Sequence, residues 1–108
     1  MMTVSIRLAM TPDRRAQAVS ILRPLLEPTR VMHGCLSFRV YCDLEDDCAL
    51  LLAQEWAAEE DLARHVRGRD FQKVLAVVEL ASHAPEIKIN AVASTHGMEL
   101  LEQLSLGR

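Results

Sequence analysis

Residues 35–56 read Cys35-Leu36-Ser37-Phe38-Arg39-Val40-Tyr41-Cys42, then Asp43-Leu44-Glu45-Asp46-Asp47, then Cys48-Ala49-Leu50-Leu51-Leu52-Ala53-Gln54-Glu55-Trp56. In the first run Leu36, Phe38, Val40 and Cys42 share one parity, and Cys35, Ser37, Arg39 and Tyr41 share the other. That alternation is the mark of a strand. The last run is apolar enough for a strand covered on both faces. The acidic stretch between them is turn-like, so the two strands form an antiparallel hairpin.

Upstream of the hairpin, Val4, Ile6, Leu8 and Met10 alternate with Thr3, Ser5, Arg7 and Ala9 to give another strand. Thr11 is a good N-cap, Pro12 suits the first helical position, and Asp13 sits favourably near the positive end of the helix dipole. The helix that starts there carries Val19, Leu22, Leu25 and Leu26 near one stripe. Pro24 cannot donate to the carbonyl four residues back, so it kinks this helix, which resumes toward Arg30. Downstream of the hairpin, Ala57 to Arg67 carries Leu62, His65 and Val66 at helical spacing, and Gly68 interrupts. Asp70 then caps a second piece in which Phe71, Val74, Leu75 and Val78 keep helical periodicity. After His83-Ala84-Pro85, residues from Glu86 to about Ser94 alternate as a last strand, and Gly97 breaks it before a Leu-rich tail.

The order β-α-β-β-α-β is the ferredoxin-like arrangement, an α+β fold with a four-stranded antiparallel sheet. Right-handed crossovers put the helices on one face of that sheet. The other face carries Ser5, Arg7, Cys35, Ser37, Arg39, Tyr41, Leu51, Ala53 and Glu55, and pairing with a second copy would cover it. Residues 1–97 form the domain, and 98–108 form a tail that packs on its own or a partner subunit.

The chain has 108 residues, 50% of them hydrophobic and 25% charged, which fits one globular domain. A net charge of −3 argues against bulk electrostatic capture of nucleic acid. No apolar stretch approaches the roughly 18–20 residues that span a bilayer, so no membrane partner is expected. Met1-Met2-Thr3-Val4-Ser5-Ile6-Arg7 lacks a secretory pattern, and the 3 cysteines are an odd number. A cytoplasmic protein with reduced thiols is expected.

Gly34 to Tyr41, Asp43-Leu44-Glu45-Asp46, Gln54-Glu55-Trp56, Leu62-Ala63-Arg64-His65 and Asp70-Phe71 together resemble the antibiotic biosynthesis monooxygenase family in order and spacing. The resemblance runs over about residues 3–97. It implies a dimeric α/β barrel: a homodimer with two sheets face to face and a ligand cavity in each subunit between sheet and helices. Several members of that family oxidise polycyclic phenols or quinols with O2 and use neither metal nor flavin. Others degrade haem, and one branch isomerises a small sugar-derived signal. The haem-degrading members use an Asn on the first strand and a His after the helical Phe. Here the first strand offers Ser5 and Arg7, and Phe71-Gln72-Lys73-Val74-Leu75 has no His, so haem degradation is disfavoured. Where some phenol-oxidising members carry an Asn one turn of strand before the Trp, this chain has Leu52.

Trp56 and His65 are the candidate catalytic residues. By parity Trp56 joins Leu50, Leu52 and Gln54 on the helix-facing side, where it either fills the core or lines a substrate cavity. His65 turns partly inward. One reading is a half-buried His bonded to a backbone carbonyl or a nearby Glu; the other is a general base, which a pKa near 6.5 suits. At a half-exposed helix position, His65→Ala should leave the fold intact. Phe38, Leu52, Phe71 and Val74 complete an apolar pocket for a flat aromatic ligand. Arg39 and Glu55 share a parity on neighbouring strands and read as a cross-strand ion pair at the dimer interface. His33, Cys35, Cys42 and Cys48 lack structural zinc spacing, and Cys35 and Cys42 have opposite parity, so no metal site is expected.

These readings lead to a homodimeric, cofactor-independent monooxygenase acting on a quinol-like or polyphenolic compound. A non-catalytic binding or sensing dimer is the alternative. An isomerase of a phosphorylated carbohydrate is the second alternative, and it needs cationic groups in the pocket. The inward parity of the strands supplies none, because Arg7 and Arg39 face the other way.

Overall fold

A computed structural model describes residues 1–107. The elements are β1 (Met2–Ala9), α1 (Pro12–Leu22), a 3-10 turn (Arg23–Leu25), α2 (Leu26–Arg30), β2 (Cys35–Cys42), β3 (Ala49–Trp56), α3 (Glu59–Val66), α4 (Arg69–Val78), β4 (Glu86–Ala91) and α5 (Met98–Ser105). The four strands form one sheet in the order β2-β3-β1-β4, with all neighbours antiparallel. This is the ferredoxin-like α+β fold that the sequence predicts. Pro24 lies in the 3-10 turn, so the helix tightens there and resumes as α2.

One face of the sheet is dry. Val4, Ile6 and Leu8 of β1 and Leu50, Leu52, Gln54 and Trp56 of β3 are buried against Ala18 and Leu22 of α1, Leu62 of α3 and Val74 and Val77 of α4. Burying a side chain of this kind contributes about 1.5–3 kcal/mol, so this layer dominates stability. The opposite face presents Thr3, Ser5, Arg7, Leu51, Ala53 and Glu55, all partly exposed. Cover for β3 on this face is therefore incomplete within one chain.

Several local expectations change. A bulge between Cys35 and Ser37 sets Cys35 opposite Trp56 and Ser37 opposite Glu55. The extra residue is Leu36, and its side chain is 55% exposed rather than inward. Cys35 turns to the core side, and Cys42, opposite Leu50, lies on that same side at the far end of the strand. The register also removes the Arg39–Glu55 pair. Glu55 Oε1 accepts from Ser37 Oγ at 2.7 Å, Arg39 faces Ala53, and no ion pair joins Arg39 to Glu55 among the described residues. Gly68, not Asp70, is the cap residue of α4, and Asp70 sits in its first turn. Thr11 flanks α1 without a side-chain capping bond. The acidic hairpin turn has a partner: Arg7 Nη2 lies 3.1 Å from Asp43 and 3.7 Å from Asp46.

The C-terminal part is less covered. Every residue of β4 is exposed, and the strand stops at Ala91. No residue of α5 is buried, and no helix among the described residues is long and apolar enough to cross a membrane. The radius of gyration is 15.7 Å, against about 13 Å for a compact chain of this length.

Candidate functional site

The site begins with a polar residue in an apolar row. On β3 the inward positions are Leu50, Leu52, Gln54 and Trp56, so strand alternation drives one amide into the core. A buried amide must be hydrogen-bonded, and Gln54 uses both ends of its side chain. Its Oε1 accepts from the Trp56 indole Nε1–H at 3.0 Å, and its Nε2 lies 3.4 Å from His65 Nε2. The indole can only donate, which fixes the orientation of the amide. The Gln54 amide N–H therefore points at His65 Nε2, which must be the unprotonated nitrogen, leaving the proton on Nδ1.

His65 reaches this position because α3 carries Asp61, Leu62 and His65 on its inner face. Its ring stacks on Trp56 with centroids 4.9 Å apart and meets Phe71 edge-on at 5.4 Å. It is 1% exposed, so it is a buried residue and not the half-exposed one that spacing suggests. Its side-chain partner is also different: an amide rather than a carbonyl or Glu. Burial pushes the His65 pKa below its ordinary 6.5, and the Asp70 carboxylate pulls weakly the other way. The imidazole is thus neutral at pH 7, with a basic nitrogen in a dry setting.

Trp56 and Phe71 meet His65 directly, while Phe38, Leu52 and Val74 belong to the one buried core of the chain. Phe38, Leu52 and Val74 are each 1% exposed, so they form a close-packed backing. The hollow that reaches His65 has a volume of about 170 Å³ and is lined by Met32, Gly68, Arg69 and Asp70 as well. Gln54, Met32 and Arg69 are the contributors that sequence reasoning left without a role, and Asp70 had only a capping one. For Gln54 the signal was present, as a polar side chain at an inward strand position.

A second polar cluster flanks the site. Asp61 Oδ1 receives His33 Nδ1 at 3.0 Å and Arg64 Nη1 at 3.1 Å. The His33 hydrogen bond, with Arg64 behind it, holds the Asp61 carboxyl below its usual pKa against an opposing desolvation. Gly34 is required here. Its φ is +82°, and a Cβ at that position would collide with the Asp61 carboxyl. Gly34 O also accepts from Ala57 N at 2.8 Å, which ties the start of β2 to the end of β3 beside Trp56.

The sequence pattern of the antibiotic biosynthesis monooxygenase family matches residues 1–77. The chain belongs to the antibiotic biosynthesis monooxygenase family. The match takes in every element from β1 to most of α4, and so the whole Trp56–Gln54–His65 cluster. The fold of this family member is also that of Rv0793 from Mycobacterium tuberculosis, with a TM-score of 0.78 at 22% identity over 89% of this chain and 98% of that one. A structure described as an antibiotic biosynthesis monooxygenase superposes with a TM-score of 0.77 at 19% identity, over 87% of this chain and all (100%) of the other. An uncharacterized protein of Synechocystis sp. is 28% identical over 85 residues, which are 78% of this chain. This member of the family spans 58% of the length of that relative.

Proposed function

We propose that this chain is a cofactor-independent monooxygenase that oxidises a quinol-like or polyphenolic small molecule with O2, acting as a homodimer in the reducing cytoplasm. Its cysteines are free, in keeping with that compartment. The observation that carries the reading is His65: a buried, neutral imidazole with its basic Nε2 inside an aromatic cluster, in a chain of this family.

His65 Nε2 takes a proton from the substrate. The single Nε2 lone pair faces the Gln54 amide at 3.4 Å, longer than a strong hydrogen bond, so a substrate proton has to displace only a weak contact to reach it. The resulting carbanion passes one electron to O2, and the radical pair recombines to a peroxide. The peroxide takes up the proton held by His65, and loss of water leaves the new carbonyl. The substrate CH2 and O2 thus yield C=O and H2O, with no outside reductant. Trp56 and Phe71 hold the imidazole in place, while Phe38, Leu52 and Val74 keep water from the basic nitrogen. Burial keeps the imidazole unprotonated at neutral pH and so ready to accept a proton, while it also lowers the basicity of that nitrogen.

Dimerisation is supported by unfinished surfaces: the half-covered sheet face, Ile87 and Ile89 on β4, and Met98, Leu101, Leu104 and Leu106 in and after α5. The expected mass in solution is about 24 kDa, twice the 12.1 kDa of the chain, and light scattering at 12.1 kDa at micromolar concentration would refute the dimer.

The test of the reaction is oxygen uptake by purified, metal-stripped protein with a panel of quinols and polycyclic phenols. Uptake above the autoxidation blank, abolished in His65→Gln and reduced in Trp56→Phe, is expected. The alternative is a non-catalytic binding or sensing dimer, for which the hollow at His65 would serve as the ligand site. A folded protein that consumes no oxygen, yet shows ligand-dependent quenching of Trp56, would establish that alternative.

A further inference from the structure

A larger cavity lies away from this cluster. It has a volume of about 320 Å³ and sits between α1–α2 and the β2–β3 hairpin. Its lining is Val19, Leu22, Leu26, Val40 and Leu50, with Arg15, Arg23 and Cys42 completing it. The volume is within the range of small-molecule sites, about 300–1,000 Å³. Leu22 and Leu50 are fully buried at its floor, whereas Arg23 and Cys42 are exposed at its mouth. Leu50 and Trp56 lie at opposite ends of β3, about 20 Å apart along the strand. The cavity is therefore separate from the His65 site.

Its charge is uncompensated. Arg15 Nη2 contacts Cys42 Sγ at 2.7 Å, while Arg15 Nε is buried with no hydrogen-bond partner. Neither Arg15 nor Arg23 forms an ion pair among the described residues, and no carboxylate lines the cavity. A guanidinium offers a planar fork of donors suited to a carboxylate, and a buried donor left unpaired is costly. These cations come from α1 and the turn after it. The expectation that inward parity supplies no cationic group therefore holds for the strands but not for the helices. A phosphorylated carbohydrate would also need hydroxyl partners, and the remaining lining is aliphatic apart from one thiol.

We infer that this cavity is a second ligand site, which takes a small anionic amphiphile: a carboxylate head on Arg15 and Arg23, with an aliphatic body against Val19, Leu22, Leu26, Val40 and Leu50. The inference does not depend on oxygen chemistry at His65.

The test is a titration of ¹⁵N-labelled protein with octanoate, octan-1-ol and octylamine, followed by amide shifts. Saturable octanoate binding centred on Val19, Leu26 and Val40 is expected, with octanol at least about 10-fold weaker and octylamine weaker still. Arg15→Gln and Arg23→Gln should each weaken octanoate about 10-fold and leave octanol unchanged. Arg23 is an exposed turn position and Arg15 a partly exposed helical one, and the comparison of the three probes on the unmodified protein needs no variant. Equal affinity for octanoate and octanol, shifts centred on Met32, His65 and Asp70, or no saturable binding would each overturn the proposal.

Discussion

β3 and β4 both pair with β1, one on each side, and both carry alternating apolar residues. Ile6 of β1 sits between Leu52 of β3 and Ile87 of β4 in register. Leu52 is 1% exposed and Ile87 is 52% exposed. The difference does not lie in strand propensity. It lies in what stands over each strand: α1, α3 and α4 cover β1 and β3, while β4 is the sheet's edge strand and all of its residues are exposed. Alternation tells which residues share a face, but only the placement of the next layer decides whether that face is dry. On β3 it is dry enough to make an amide and an imidazole depend on each other. On β4 the same pattern leaves an apolar strip that only another surface can cover.

This contrast predicts a steep gradient of mutational cost. Trp56→Ala removes the largest fully buried side chain and orphans Gln54 Oε1, so it should destabilise by about 3–5 kcal/mol in urea unfolding. A loss under about 1 kcal/mol would mean that the β3 side is no drier than the β4 side. His65→Ala should cost about 2–4 kcal/mol, as for deletion of other fully buried side chains. This reverses the expectation of an intact fold for this variant, because the residue is buried under Trp56 and Phe71. A melting temperature equal to that of the unmodified protein would contradict its placement.

The next effect is a pH dependence. The folded pKa of His65 lies below its unfolded value of 6.5, so the unfolded chain binds the proton first as pH falls. Stability should therefore decline as pH drops below 6.5 toward the folded value, and His65→Phe should remove that component. Asp61 acts further down. Its folded pKa is depressed below 3.8, so its contribution is present above 3.8 and is lost as pH falls through the folded value. The smallest effect belongs to β4. Ile87→Thr with Ile89→Thr should change the stability of the isolated subunit by no more than about 0.5 kcal/mol each, while weakening self-association in sedimentation experiments. A large loss of subunit stability would show that β4 is covered within its own chain.

Much of this architecture was legible in the sequence. Period-two runs gave β1, the hairpin and β4, and Pro24 marked the tightened turn. The spacing of Phe71, Val74 and Val78 placed α4. What escaped has physical reasons. The bulge at Leu36 inserts a residue without any Gly or Pro to announce it, so Cys35 and Leu36 exchanged faces. Parity put Arg39 and Glu55 on one face, but the register, which parity does not give, sets Ser37 opposite Glu55 and Arg39 opposite Ala53. His65 was placed on the correct side of α3, but its depth depends on how closely α3 and α4 approach β3. The Gln54 bridge needed that same distance. The cations of the larger cavity were missed because strand parity says nothing about side chains that reach in from α1.

His65 is a neutral imidazole whose unprotonated nitrogen is Nε2, a tautomer set by the Gln54 amide. Ring ¹⁵N shifts of His65, followed from pH 8 to pH 4 in the unmodified protein and in Gln54→Leu, test this most directly. The account predicts an Nδ1–H tautomer at neutral pH, a midpoint below 6.5, and a change in the Nε2 shift when Gln54 is replaced. A midpoint at or above 6.5, or an Nε2–H tautomer that is indifferent to Gln54, would contradict it.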